Sequence, residues 1–406
     1  MNANRLRICM VSVGTADCVG GLASYMRFLG GELAREHSIS AVGRFHTGGP
    51  PRVDYAAYEQ PRTIEHAHYN TRIIAPRPGY VPLLRQLPRF TSRPLLHRAA
   101  VTIFNRAYRD SMREAIPEAV DVVHYVTTGF ELLGFSALEQ ARQRGAIFTV
   151  LPAAHPGTWG DSPLDIRLYN QSDAVFVLSE SERDHLIAKG TNPSLLKVTG
   201  LAPASAEGTV EDAESFRSRH QLGNRPLILF IGRKTPDKGY HTLRRAMAEI
   251  SQAIPDACLV VIGPDRLPPY PPVDPSAILD LDKASEQEKV AALAACDVFC
   301  LPSTDESFGI AYVEAWMHGK PVIGGPAPAV QELIRQGVTG ICVPQDPGEV
   351  AGAVIKLLSD APTRKRMGEA GRQLQQSQYT WKAVAQRHVE VFMEAIQKAK
   401  GSTPPP

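Results

Sequence analysis

Glu306 and Glu314, with seven residues between them in ESFGIAYVEAW, are the side chains of this 406-residue sequence whose type and spacing most directly point to chemistry. Carboxylates accept hydrogen bonds from vicinal hydroxyls, so one glutamate can take a transferred sugar and the other a ribose. The surrounding pattern reads as a strand at Val298–Leu301, a turn at Pro302–Glu306, a helix at Ser307–Met317 ended by Gly319, and a new strand opened by Pro321. At about 1.5 Å per residue, Glu314 lies about 10 Å along that helix while Glu306 stays at its mouth. A hydrolytic carboxylate pair needs a separation of roughly 5–9.5 Å across the scissile bond, which this offset does not naturally give. The loop falls at the carboxyl end of a strand, where α/β sheets bind ligands, and a helix N-terminus offers free N–H groups to phosphate. Backbone amides of Ser307, Phe308, Gly309 and Ile310 are therefore candidate diphosphate ligands. The plain alternative, two solvated helix glutamates, is weakened by the turn that frames them.

A second loop, Gly232-Arg-Lys-Thr-Pro-Asp-Lys-Gly239, follows the strand-like Leu227–Ile231 and precedes the helix-like Tyr240–Ile254. Arg233 and Lys238 in it are placed to neutralise a leaving diphosphate. Asp280 and Asp282 form a D-x-D spacing that could hold a metal-bound diphosphate, but it sits where the base-binding edge would lie and such spacings are common by chance. No metal is expected.

Positioning these residues takes two domains, since 406 residues exceed one compact core. The hydrophobic share of 43% and charged share of 21% are those of an ordinary globular protein. Strand-like runs at Ile8–Val13, Asp121–Val126, Ala146–Leu151 and Ala174–Leu178, with helical stretches such as Glu131–Arg144 between, read as parallel α/β. A weakly patterned segment, Leu201–Glu214, separates them from a second alternation through Leu227–Ile231, Cys258–Ile262, Ile278–Leu281, Val298–Leu301 and Pro321–Ile323. Domains are thus expected at 1–200 and 215–380, followed by a terminal helix at 381–398 and a disordered tail at 401–406. The proline-dense Arg266–Pro275 reads as a stiff surface loop. Six cysteines without a C-x-x-C pair imply a reducing compartment, and no apolar run approaches a membrane span.

In these motifs the chain resembles glycosyltransferase family four (glycosyl transferases group 1), the retaining family with the GT-B fold. The resemblance rests on Glu306 and Glu314, the G-R-x-x-x-x-K-G loop at Gly232–Gly239, and an early Gly20-Gly21 turn, in the family's order and spacing. It implies two facing Rossmann-like parallel-sheet domains with the C-terminal helix crossing back to the N-terminal one. It also implies that Arg233 and Lys238 contact the donor diphosphate, Glu306 the donor sugar and Glu314 the ribose, while Gly20 and Gly21 let backbone approach the transferred group. A histidine should face the reacting sugar: His155, in PAAHPGTW, is favoured over His124, in DVVHYV. The activity implied is transfer of a hexose from a nucleoside diphosphate sugar, a UDP-sugar ahead of a GDP-sugar, to an acceptor hydroxyl with retention, in glycolipid or cell-surface polysaccharide synthesis. No obligate cofactor is implied. A nucleotide-sugar epimerase and a non-catalytic nucleotide-sugar binder are the competing readings.

One further signal is an arginine run, Arg72, Arg77, Arg85, Arg89, Arg93, Arg98, Arg106, Arg109 and Arg113, against Asp110 alone, interleaved with Leu83, Leu87, Phe90, Leu95 and others. That composition suits an anionic membrane surface or a phosphorylated lipid acceptor, with Arg85, Arg89, Arg93 and Arg98 the candidates; nucleic acid is not an expected partner. A solvated surface is the bland alternative. The expected location is cytoplasmic, peripheral on the inner face of the membrane.

Overall fold

The computed structural model describes residues 5–17, 21–46, 54–127, 129, 131–205, 207–264 and 274–401. The chain divides into two compact units, Met1–Gly200 with Trp381–Pro406, and Leu201–Thr380.

The first unit is built on an eight-stranded sheet of β1 (Arg7–Ser12), β2 (Ser38–Gly43), β3 (Arg62–Glu65), β4 (Asn70–Ile73), β5 (Val122–Val126), β6 (Ile147–Leu151), β7 (Ala174–Val177) and β8 (Leu196–Val198). Its order is β3-β4-β2-β1-β5-β6-β7-β8, parallel throughout except for the β3–β4 edge pair. Every residue of β5, β6 and β7 is buried, as a parallel sheet covered on both faces requires. The helices Gly21–Leu33 and Trp381–Gly401 pack together in this unit, with Phe28 stacked on Trp381 at 5.6 Å between ring centroids. The C-terminal helix therefore completes the core of the N-terminal sheet.

The second unit is an all-parallel six-stranded sheet of β9 (Leu227–Ile231), β10 (Cys258–Ile262), β11 (Ile278–Asp280), β12 (Val298–Leu301), β13 (Val322–Gly324) and β14 (Gly340–Cys342), in the order β11-β10-β9-β12-β13-β14. From β9 the chain winds outward to β11, then returns to β12 beside β9 and winds the other way. The gap between the carboxyl ends of β9 and β12 is thus the topological switch point, where loops diverge and leave a crevice.

Three boundaries differ from the sequence reading. Residues 201–214 belong to the second unit, because Ala204 and Ser205 donate to Glu314, Gly208 N donates to His318 Nε2 at 2.8 Å, and a helix already begins at Val210. The helix expected from Ser307 starts at Ile310, since Gly309 precedes it with φ of 94°, a left-handed conformation that breaks the turn. The terminal helix runs to Gly401, so that residue is helical rather than part of a loose tail. The remainder of the tail and Arg266–Val273 of the proline-dense loop lie outside the described residues.

Candidate active site

The two loops that carry the charged motifs meet at the switch point of the second unit. After β9 the chain passes through 232–235, makes a single turn at Pro236–Lys238, and enters the helix Tyr240–Ala253 through Gly239 at φ of 74°. A Cβ on Gly239 would lie 2.4 Å from the Pro302 carbonyl oxygen, so only glycine lets this loop touch the one following β12. The contact is stitched by Thr304 N donating to the Asp237 carbonyl at 2.8 Å, and by Gln345 Nε2 donating to the carbonyls of Pro236 at 3.0 Å and Pro302 at 2.8 Å.

Within that junction Lys238 and Glu306 form an ion pair, Nζ to Oε1 at 2.9 Å, both largely buried. The Lys238 ammonium also donates to the Asp305 carbonyl, and Ser303 Oγ donates to the same glutamate oxygen at 3.3 Å. Arg233 is different: its side chain is 46% exposed and meets only the Asp237 carboxylate at 3.5 Å among the described contacts. It is a cation at the surface of the crevice that reorientation can bring to an incoming anion.

Glu314 lies in the second turn of the helix Ile310–Met317 and is 3% exposed. Its Oε1 accepts from Ala204 N at 3.3 Å, Ser205 Oγ at 3.2 Å and Lys289 Nζ at 3.1 Å. Burial opposes the Lys289 charge, yet the Glu314 and Glu286 carboxylates outweigh it and hold that ammonium's pKa above the usual lysine value. Because the helix starts at Ile310, the backbone N–H groups without an intrahelical acceptor are those of Gly309, Ile310 and Ala311, a set that begins two residues later than the expected Ser307–Ile310. Phe308 is buried, its ring edge-on to Tyr379 at 5.5 Å, and anchors the turn; Ser307 is half-buried beside it.

Asp280 and Asp282 are engaged within the unit. The ammonium of Lys234, 1% exposed, stands 2.6 Å from Asp280 and 4.0 Å from Asp282 and occupies the place between the two carboxylates that a cation would take. Lys234 was overlooked in sequence because an arginine and a second lysine flank it in the same loop.

In the first unit, Gly21 opens the helix after β1 and His155 follows β6, so both lie at the carboxyl edge of one sheet with β5 between them. Gly20 lies outside the described residues. His155 is half-buried, its ring 4.2 Å from that of Trp159. Its loop is held in an unusual conformation: Ala153 has φ of 42°, and the buried Glu182 accepts from Ala154 N at 2.6 Å and Leu178 N at 2.7 Å. Burial raises the Glu182 carboxyl to about 7, against the two backbone bonds that lower it. His124, the alternative, is removed from any surface: it is fully buried in β5, bonded to Tyr25 at 2.9 Å and Thr149 at 2.9 Å and surrounded by Phe176, His388 and Phe392. At the same sheet edge Asp17 sits 3.3 Å from His46 and 3.6 Å from His66, a cluster drawn from three separate segments that no sequence spacing announces.

Residues 212–374, most of the second unit, match the family described as glycosyl transferases group 1. The chain carries a group 1 glycosyltransferase region. It is 26% identical, over 92% of its length and 94% of the relative's, to a GDP-mannose-dependent alpha-(1-6)-phosphatidylinositol monomannoside mannosyltransferase of Mycolicibacterium smegmatis. It is 30% identical over 56% of its length to a D-inositol 3-phosphate glycosyltransferase of Corynebacterium diphtheriae, of which that alignment spans 58%. Among solved structures, sucrose-phosphate synthase from Thermosynechococcus elongatus shares the fold of this glycosyltransferase, with a TM-score of 0.70 at 19% identity over 97% of this chain and 100% of that one. These relatives are named as transferases or synthases, and none supports the epimerase reading. Among the described residues, no helix of the glycosyltransferase is long and apolar enough to cross a membrane.

Proposed function

We propose that this glycosyltransferase moves a hexose from a nucleoside diphosphate sugar to a hydroxyl of a lipid-linked or phosphorylated polyol acceptor, with retention at the anomeric carbon. The observation that carries the reading is the junction of the two loops at the β9–β12 switch point, where Lys238 pairs with Glu306 just before the helix N-terminus at Gly309–Ala311 and Arg233 stands exposed in the same loop as Lys238. Arg233, Lys238 and those amides stabilise the negative charge that builds on the departing diphosphate, and such preorganised donors act most strongly where charge develops in the transition state. Glu306 receives hydroxyls of the transferred sugar, and Glu314, held on one oxygen by Lys289 and Ser205, receives the ribose. His155 and Gly21 of the first unit are assigned to the transferred sugar, as the family resemblance implies.

Retention rests on the family resemblance; Glu306, paired with Lys238 and bonded by Ser303, is not poised as a nucleophile for double displacement. We therefore favour a front-face route in which the acceptor oxygen enters as the sugar–phosphate bond opens and the leaving phosphate takes the acceptor proton. GDP-mannose is the first donor to test, because the relative matched over nearly its whole length is named for it, with UDP-hexoses next. The acceptor class follows the inositol-containing substrates in the names of both relatives. The test is incubation with GDP-mannose and phosphatidylinositol or inositol phosphate, with the product's anomeric configuration read by NMR. An α-linked product supports the reading; a β-linked one overturns retention, and conversion of the sugar nucleotide without acceptor overturns transfer.

A further inference from the structure

Residues 78–98 form a chain of short helical turns, Pro78–Tyr80, Val81–Leu84, Leu87–Thr91 and Pro94–Leu96, each opened by a proline, leading into the helix His97–Ala115. Arg85, Arg89, Arg93 and Arg98 project from it exposed, with no ion pair to any described carboxylate, whereas Arg72 and Arg77 earlier in the run are paired with Glu114 and Asp110. Leu95 is 96% exposed and Leu83 48%. The same segment lines a half-open cavity of about 440 Å³ bounded by Tyr55, Pro88, Pro94, His97, Pro163 and Leu164. That volume falls within the roughly 300–1,000 Å³ of small-molecule sites.

The polar side chains in the cavity wall are already satisfied within the protein. Thr91 Oγ1 donates to the Leu87 carbonyl at 3.2 Å, Ser92 Oγ to Arg89 at 3.0 Å and Ser162 Oγ to Asp165 at 2.6 Å, while His97 Nε2 bonds the Thr91 carbonyl at 2.9 Å. What the wall offers an occupant is therefore hydrocarbon, and a polar ligand would lose its water without gaining partners. The rim offers the opposite: Arg89, Arg93 and Arg98 adjoin the wall residues Pro88, Ser92, Pro94 and His97 in sequence. An apolar slot whose wall residues alternate along the chain with unpaired arginines, in a segment that also exposes Leu83 and Leu95, matches an amphiphile with a negatively charged head.

We propose that residues 78–98 dock on an anionic phospholipid leaflet, with headgroup phosphates on Arg85, Arg89, Arg93 and Arg98, Leu83 and Leu95 among the headgroups, and one acyl chain in the cavity. The proposal rests on no step of the transfer reading: vesicle binding is measured without donor, so either can fail while the other stands. The full-length chain is floated with vesicles of phosphatidylglycerol in phosphatidylcholine and with phosphatidylcholine alone. Binding to the anionic vesicles only, weakening as salt rises, is expected. Replacing all four arginines by alanine should weaken it at least about a hundredfold, at about fivefold for each arginine near the surface. Leu95→Asp, a fully solvated position that cannot disturb folding, should weaken it about tenfold. For the cavity, soluble dihexanoyl phosphatidylglycerol should raise the melting temperature of the wild type but not of Ser92→Trp, and glycerophosphoglycerol, the headgroup alone, should not raise either. Equal binding to neutral vesicles, or unchanged binding by Leu95→Asp and the arginine variant, overturns the docking surface. A headgroup as effective as the short-chain lipid, or a Ser92→Trp protein that responds like the wild type, overturns the acyl site.

Discussion

Arg233 and Lys238 carry the same charge in the same loop, yet their surroundings give them different work. Lys238 is buried against Glu306 and the Asp305 carbonyl and so shapes the loop as well as charging it, whereas Arg233 has one weak partner and an exposed guanidinium. Arg233→Ala should therefore lower turnover at least about a hundredfold, the scale of losing one transition-state charge donor, with the melting temperature unchanged. Lys238→Ala should lower both turnover and stability, since it strands Glu306 in a largely buried place. Turnover and circular-dichroism melts of the two variants separate these outcomes; near-normal turnover of Arg233→Ala would remove it from the site. The four charged residues were legible in sequence because each sits in a short motif with its own turn. The residues that hold them, Ser205, Lys289 and Gln345, were not, since they come from up to 109 positions away and only folding brings them near.

At the scale of elements, the helix Gly21–Leu33, the strand β5 and the C-terminal helix are joined by one buried chain of hydrogen bonds. His388 Nδ1 must donate to the Val384 carbonyl at 2.8 Å, so its Nε2 accepts from Tyr25 at 2.7 Å; His124 then donates through Nε2 to the tyrosine oxygen and accepts from Thr149. Every member is satisfied with both histidines neutral. Burial pushes His388 down to about 4 and His124 well below its usual value. Between pH 6.5 and about 4 the unfolded chain binds more protons than the folded one, so both groups make stability fall as pH drops through that window, and the His388 contribution levels off below it. Urea unfolding at pH 7.5 and 4.5 should show this fall, and Tyr25→Phe, which strands both imidazoles, should cost about 1–3 kcal/mol at neutral pH. A wild-type midpoint independent of pH would contradict the neutral chain. The loop of His155 depends on Glu182 in a similar way: Glu182→Ala frees Ala154 N and releases the strained Ala153, and should lower turnover with little effect on the affinity for donor, read as separate kcat and KM values. The strands β1, β5, β6, β7, β9, β10 and β12 were legible as apolar runs. The strands β3, β4, β8 and β14, at or next to the sheet edges, were not, because short, half-exposed strands lack that run, and β3 pairs antiparallel only after the chain reverses.

Over the whole molecule, each of the two sheets carries its candidate residues on loops at the carboxyl ends of its strands, the second at its switch point. The alternation of strand-like and helical segments made that doubly wound plan readable, and the quiet stretch after Gly200 marked the change of unit. It misplaced the start of the second unit because the bonds from Ala204 and Ser205 to Glu314 leave no trace in local pattern. On the proposed function, the crevice between β9 and β12 binds a nucleoside diphosphate sugar. Bound donor raises the melting temperature by mass action, by about 2.7 kcal/mol of added stability at a hundredfold excess over Kd. The deciding measurement is a thermal-shift titration of the full-length chain with GDP-mannose and UDP-hexoses, in wild type and Arg233→Ala. A saturable upward shift with at least one of these donors is expected, weakened at least about tenfold in apparent affinity by the substitution. No shift with any sugar nucleotide, or an identical titration for the variant, would contradict it.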